Sequence, residues 1–342
     1  MIKSLASLRF VFAFLVFLHH IKLMEDAIGH AFFFMLSGFI LSYVYGDRVV
    51  QHQISTIRFL KLRFSRLYPV YFITLLLAVP LYSINYPWEP VVFWSKFTAT
   101  VFLVQSFVPD NHYYFSFNGL AWSISDLFFF YALFPLIFKW FHQLKLSHLI
   151  GLFGVAFVVL LSLMCSIPEE YIHFTFYVNP FFRLFDFGLG ILVYKGLIAY
   201  KGYQSKTFNT LFELTAIFTL TAFYYLSDFF PKVLRYSLYY WLPMLLFMVA
   251  FARQRGSISA ILSHPILLFL GELSLGFYIY HQLVLRYVGV LNNKYALIEE
   301  VWLLNTLTFV LILVICYISY YSFENPLKNF LRKVLLSENN RN

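Results

Sequence analysis

Nine ionisable side chains stand in otherwise apolar stretches of this 342-residue chain: Arg9, His19, His20, Asp126, Arg183, Asp186, Glu213, Glu272 and His281. Arg9 and His20 form the most informative pair. Eleven residues make about three helical turns, so the two share one helix face about 16 Å apart along its axis. They are too far apart to touch, but they line one passage at two depths. A guanidinium there orients an anion or stabilises developing negative charge, and an imidazole takes up or releases a proton near neutrality. Ala13 and Val16 complete that face with small or modest side chains, while His19 is turned away by about 100°. The competing reading has Arg9 snorkelling to lipid headgroups and both histidines in the opposite interface.

Further candidates follow along the chain. Arg63 and Arg66, within the basic stretch Arg58, Lys61, Arg63, Arg66, are i, i+3 neighbours on a helix. That spacing lets two guanidiniums grip one phosphate group. A basic cluster beside a span is also the ordinary anchor to lipid headgroups, and both readings stand at this point. Gly271, Ser274, Tyr278 and His281 recur at helical spacing as a polar stripe, read either as a site wall facing His20 or as close helix packing. Arg183 and Asp186, also i, i+3, are expected to neutralise one another. Glu324 is a topological candidate to face the cluster around Arg63.

Composition dictates the elements that must hold these residues. Hydrophobic residues make up 61% of the chain and charged ones 12%, with 44 Phe and 26 Tyr, and the mean hydropathy is +0.73. Soluble domains carry roughly a quarter charged residues, so a soluble globular fold is excluded. The apolar residues fall in blocks long enough to cross a bilayer as helices, without the alternation of an outer-membrane barrel. The expected fold is all-α and polytopic, with about ten transmembrane helices near 5–23, 30–46, 67–87, 119–138, 148–167, 181–199, 210–227, 235–252, 265–288 and 301–322. The first of these runs into a polar, acidic turn with no small-residue cleavage site, so it is expected to remain as a span.

Charge decides the ambiguous stretch 91–109. If it does not cross, the loops Arg48 to Arg66, Lys139 to Lys145, Lys195 to Lys206 and Arg253 to Arg255, with the tail Lys328 to Arg341, face one side with sixteen Lys or Arg against six opposite. The positive-inside rule then puts both termini in the cytoplasm and leaves 91–109, with Trp88 and Trp94, at the outer face. The same rule accounts for the net charge of +9 without nucleic acid. Cys165 and Cys316 sit in apolar runs and read as packing residues. The expected organisation is one membrane domain over 1–326, followed by a basic cytoplasmic tail over 327–342.

In this order the segments resemble the membrane acyltransferase-3 family, which includes bacterial O-acetylases. Ser7-Leu8-Arg9 through Phe17-Leu18-His19-His20 is similar to its opening span, and Phe33-Phe34-Met35-Leu36-Ser37-Gly38-Phe39 to its FFxLSGF. Arg63 to Pro69 is similar to its basic RxxR segment, and Ala121-Trp122-Ser123-Ile124-Ser125 with Phe134-Pro135 to its WSxS and FP. Asn179-Pro180 with Arg183 and Phe187-Gly188, Leu270 to Ser274 with Tyr278 and His281, and Phe323-Glu324-Asn325-Pro326 complete the series. The family usually has a Glu five residues after the Trp. Leu127 occupies that position here, and Asp126 offers a carboxylate about 100° away around the helix.

The resemblance implies an integral-membrane enzyme of the bacterial cytoplasmic membrane. It would move an acyl group, most often acetyl, from cytoplasmic acetyl-CoA or another acyl-CoA to a hydroxyl of a cell-surface or lipid-linked saccharide. On that reading His20 is the general base or a transient acyl carrier, and Arg9 orients the donor. Arg63 and Arg66 hold the donor's phosphates, and Trp122, Ser123, Asp126, Ser274, Tyr278 and His281 line the pocket. Membrane lipid and a saccharide or glycolipid acceptor are the expected partners, with no metal. A proton-coupled transporter is the alternative from another class, since buried His, Asp and Arg also mark proton paths. It predicts repeated halves with broken helices, which the sequence does not display.

Overall fold

The structure, a computed structural model, describes residues 2–26, 28–85, 87–200, 202 and 204–337. Among them the chain is helical and without strands. In chain order the helices are α1 (Lys3–His20), α2 (Gly29–Val50), α3 (Thr56–Asn85), α4 (Pro90–Val101), α5 (Asn111–Tyr114), α6 (Ala121–Gln143), α7 (Leu146–Ser166) and α8 (Glu169–His173). They continue as α9 (Pro180–Ala199), α10 (Lys206–Tyr225), α11 (Lys232–Arg235), α12 (Leu238–Ala252), α13 (Ser257–Leu262), α14 (Pro265–Tyr295), α15 (Val301–Ser319) and α16 (Asn325–Ser337). Helix is the only element that satisfies every backbone group within one apolar span, which is why so aromatic a chain contains little else.

Eight stretches among the described residues are long and apolar enough to cross a membrane: α1, α2, α3, α6, α7, α11 through α12, α14, and α15 through α16. The other two expected crossings correspond to α9 and α10, each 20 residues, or about 30 Å of helix. The ambiguous stretch holds α4, whose 12 residues reach only about 18 Å. The helix ends at Val101, and Leu103 just beyond it, a non-glycine residue with φ of 59°, turns the chain out of helical conformation. Large apolar side chains such as Val155, Val158, Phe218 and Trp302 are exposed, as lipid-facing residues are. The expected tail is helical in α16 as far as residue 337, and residues 338–342 lie outside the described ones.

The chain divides into two compact units, with boundaries inside α1, α6 and α14. The first takes the chain up to Val16, Glu25–Ile54 and Phe129–Glu272; the second takes Phe17–Met24, Ser55–Phe128 and the chain from Leu273 on. In the first unit α2 and α9 approach backbone to backbone. A Cβ built on Gly190 would lie 1.9 Å from the Met35 carbonyl oxygen, and one on Gly38 would lie 1.9 Å from that of Phe187. Small residues permit such approach where lipid supplies no hydrophobic drive between helices.

The same unit absorbs three of the buried charges. The Arg183 guanidinium pairs with Asp186 at 3.0 Å, both without exposed side-chain surface, and Asp186 also accepts from Ser237 Oγ and Trp241 Nε1. The expected neutralisation therefore occurs, inside a hydrogen-bonded cluster as a buried ion pair requires. Glu213 on α10 accepts from the backbone N–H of Gly256, Ile258 and Ser259. It caps the N-terminus of α13, where orphan donors and the helix dipole favour a carboxylate.

Candidate functional site

The second unit gathers most of the remaining polar residues. His20 lies in the last turn of α1, and the chain reverses immediately after it. Leu23 N–H bonds the Leu18 carbonyl and Lys22 N–H that of His19, with Lys22 at φ 63°. This is the Schellman termination, here with lysine in the left-handed position that usually takes glycine. His19 Nδ1 lies 3.1 Å from the Met24 carbonyl oxygen; a carbonyl only accepts, so His19 donates and ties down the turn. The neighbouring histidine is thus structural, and His20 is left to face α14.

On α14 the polar stripe serves both readings given above. Gly271, in the first unit, is a packing position, since a Cβ there would lie 2.1 Å from the Ala6 carbonyl oxygen. From Ser274 onward the stripe belongs to the second unit. Tyr278 Oη lies 2.8 Å from Ser123 Oγ, and the Ser123 hydroxyl donates to the Leu120 carbonyl. With its one proton committed, Ser123 accepts from Tyr278. One turn further, His281 Nε2 lies 3.2 Å from His20 Nδ1, and the ring centroids are 5.0 Å apart. Ser274, Tyr278 and His281 are all buried, as are Trp122, Ser123 and the completely enclosed Asp126.

Residues 103–120, between α4 and α6, hold this arrangement in place. Asn118 Nδ2 donates to the Ile279 carbonyl at 2.9 Å, between Tyr278 and His281 in sequence, and Arg286 Nη1 donates to the Phe117 carbonyl at 2.6 Å. Gln105 Nε2 donates to the Ala121 carbonyl at the start of α6. Ser106 Oγ and Ser125 Oγ are 2.7 Å apart. Leu103 and Phe117 adopt left-handed φ angles of 59° and 57° although both are buried. Non-glycine residues persist there only where their surroundings over-determine them, and such strain gathers at functional sites. Beneath the segment Leu75, Leu81, Tyr82, Phe93, Phe117 and Leu283 form an apolar cluster.

Sequence reasoning did not single out Gln105, Asn118 or Arg286 as site supports. Their signal was present, since an amide or guanidinium beside a span must find partners. The partners are backbone carbonyls, which no side-chain motif announces.

Arg63 and Arg66 both lie on α3 in the second unit. Arg63 is half-buried with its guanidinium 5.7 Å from the Phe59 ring centre, and Arg66 is exposed. Glu324, the topological candidate to face them, accepts from Ser319 Oγ, which in turn lies 2.9 Å from the Tyr280 hydroxyl. Arg9 is half-buried in the part of α1 that groups with the first unit. Among the described residues no group of three or more His, Cys, Asp or Glu is gathered as a metal site would need.

A model of the acyltransferase-3 family, described as an acyltransferase domain, matches residues 2–321. The chain belongs to this acyltransferase family. The family match favours the acyl-transfer expectation over the transporter one. Two curated relatives agree with the assignment. Acyltransferase MdmB of Streptomyces mycarofaciens is 34% identical over 115 residues, 33% of this chain and 28% of that protein. ORF330 of Acidianus two-tailed virus, named as an acetyltransferase, is 25% identical over 234 residues, 67% of this chain and 66% of that protein. The chain thus spans less than two thirds of the length of either relative. No solved structure matches it.

Proposed function

We propose that this acyltransferase moves an acyl group, acetyl in the simplest case, from acyl-coenzyme A at the cytoplasmic face to a hydroxyl of a cell-surface or lipid-linked saccharide, with His20 as the general base. The hydrogen-bonded pair His20 and His281 carries the reading. A hydroxyl is a weak nucleophile at neutral pH, and a positioned imidazole removes its proton as attack on the thioester begins. Transient carriage of the acyl group on His20 is the covalent variant of the same scheme.

The other residues take roles consistent with their surroundings. With both termini in the cytoplasm, as the distribution of Lys and Arg supports, Arg9 lies in the inner part of α1 and His20 towards the outer end. Arg9 then orients the donor or stabilises charge on the thioester oxygen. Arg63 and Arg66 hold the coenzyme A phosphates. Tyr278, Ser123 and Trp122 form the wall beside His20, and Asp126 and Ser274, buried in the same unit, complete the pocket lining. An acceptor of saccharide type suits an outer-face reaction, and of the neighbouring aromatic residues Tyr113, Tyr114 and Phe115, Tyr114 is buried while the other two keep exposed surface for stacking on sugar rings.

Single Arg63→Ala and Arg66→Ala variants, assayed in membrane vesicles with acetyl-coenzyme A, test the donor side. Each is expected to raise the donor KM by about 10- to 100-fold while kcat holds, the signature of lost uniform binding. The size follows from hydrogen bonds to charged groups, worth about 1.5–3 kcal/mol. An unchanged donor KM in both would return the pair to the role of headgroup anchors.

A further inference from the structure

We infer that His281 is a positioning residue that selects the tautomer of His20, making Nε2 the basic nitrogen of that ring, and that it shares the positive charge formed during transfer. The inference rests on the reading of His20 as general base, and it follows from counting protons along one chain of contacts. His281 Nδ1 lies 3.1 Å from the Phe277 carbonyl oxygen. A carbonyl has no proton to give, so His281 carries a proton on Nδ1. A neutral His281 then has its lone pair on Nε2. That atom faces His20 Nδ1 at 3.2 Å, and one proton must lie between them. Placing it on His281 would leave two neutral rings' worth of protons on one ring and none on the other. It therefore belongs to Nδ1 of His20, and the His20 lone pair is on Nε2.

The surroundings hold this order in place. His281 is completely buried, and the Phe277 ring stacks on it at 5.9 Å. Phe17 meets it edge-on at 6.1 Å. Helix α14 fixes the carbonyl of residue 277 one turn before the ring it anchors. The ring nitrogen that is not in contact with the reactants sets the tautomer, a feature of histidine that recurs in enzymes.

The chemistry balances without any further reactant. The acceptor hydroxyl oxygen bonds to the thioester carbonyl carbon while its proton passes to His20 Nε2. The C–S bond then breaks, and the leaving thiolate takes that proton back, giving an ester and a free thiol. While His20 is doubly protonated, its Nδ1 proton can shift to His281 Nε2, so the charge spreads over two rings. An apolar residue at position 281 abolishes both the tautomer choice and this sharing. Glutamine retains an acceptor, because its Oε1 takes the place of Nε2.

The test uses the full chain in lipid bilayers with ¹⁵N-labelled histidine, the His20 signals being identified by their absence in a His20→Asn variant. Neutral His20 is expected as the Nδ1–H tautomer in the wild type and in His281→Gln, and as a mixture or the Nε2–H tautomer in His281→Phe. In acetyl transfer, His281→Phe is expected to lower kcat about 100-fold with the donor KM unchanged, and His281→Gln to stay within about ten-fold of wild type. An Nε2–H tautomer in the wild type overturns the inference, and needs no variant to fold. So does wild-type kcat in His281→Phe. If transfer instead survives in His20→Ala while the tautomer is Nδ1–H, the proposed base has failed, and the positioning role falls with it.

Discussion

His20→Ala is expected to lower acyl transfer by about 10²–10⁴-fold while the protein reaches the membrane at its normal level. The range is that of a positioned general acid or base. Removing the imidazole leaves the acceptor hydroxyl without a positioned proton acceptor, so the thioester faces a neutral alcohol, a far weaker nucleophile than an oxygen losing its proton to a base. Folding should be little affected. His20 is half-buried in the last turn of α1, and the Schellman bonds that end the helix are between backbone groups. His19→Ala is the informative neighbour. Its ring donates to the Met24 carbonyl, so its loss should loosen the turn and leave most of the rate. Equal losses in the two variants would show that the turn, and not the base, is what His20 supports.

The largest effect on stability is expected at the contact between α2 and α9. In Gly190→Leu the new Cβ meets the Met35 carbonyl oxygen at 1.9 Å and the Phe39 backbone nitrogen at 2.7 Å. Both are backbone atoms of a long helix, which no rotamer change relieves. Overpacking by a methylene or two costs about 1–3 kcal/mol where side chains can yield, so a clash with rigid backbone should exceed that and separate the two helices. Gly154→Leu on α7 is the matched control, since a Cβ there has nothing within 4 Å. Thermal unfolding in mild detergent should show Gly190→Leu markedly less stable than wild type and Gly154→Leu indistinguishable from it. A wild-type transition in Gly190→Leu would contradict the described approach of the two helices.

Gly38 and Gly190 show how much of a sequence signature translates into structure. Gly38 stands in the segment Phe33 to Phe39, legible as a fragment of a family pattern, whereas Gly190 lies two residues beyond Phe187-Gly188 and was not singled out. Geometry makes them two sides of one close contact. The polar stripe on α14 was legible in the same partial way. Its period gave a single face, but not that Gly271 would pack on backbone while Tyr278 and His281 would find Ser123 and His20. Helical periodicity fixes which residues share a face, and only tertiary structure fixes what that face meets.

Charge counting gave the non-crossing reading of the stretch 91–109, in which α4 has only 12 residues. The supports of the site were less legible. Asn118 reaches a carbonyl 161 residues away and Arg286 one 169 residues away, pairings that no local pattern encodes. The left-handed Lys22, Leu103 and Phe117 were invisible for a related reason. Glycine advertises such backbone, while a lysine, leucine or phenylalanine forced into it by its surroundings does not. Asp126, beside the Leu127 that stands in place of the family's usual glutamate, is buried in the second unit, as are Trp122 and Ser123.

The central claim, acyl transfer from acyl-coenzyme A at the cytoplasmic face to a hydroxyl on the other side, is tested most directly by sidedness. Sealed inside-out vesicles containing the wild-type chain or His20→Ala would be given acetyl-coenzyme A labelled in the acetyl group, with the native saccharide enclosed. The account predicts label as an alkali-labile ester on the luminal saccharide for the wild type and none above background for His20→Ala. Label that appears equally with both chains, or that reaches the saccharide only when acetyl-coenzyme A is supplied on the luminal side, would contradict it.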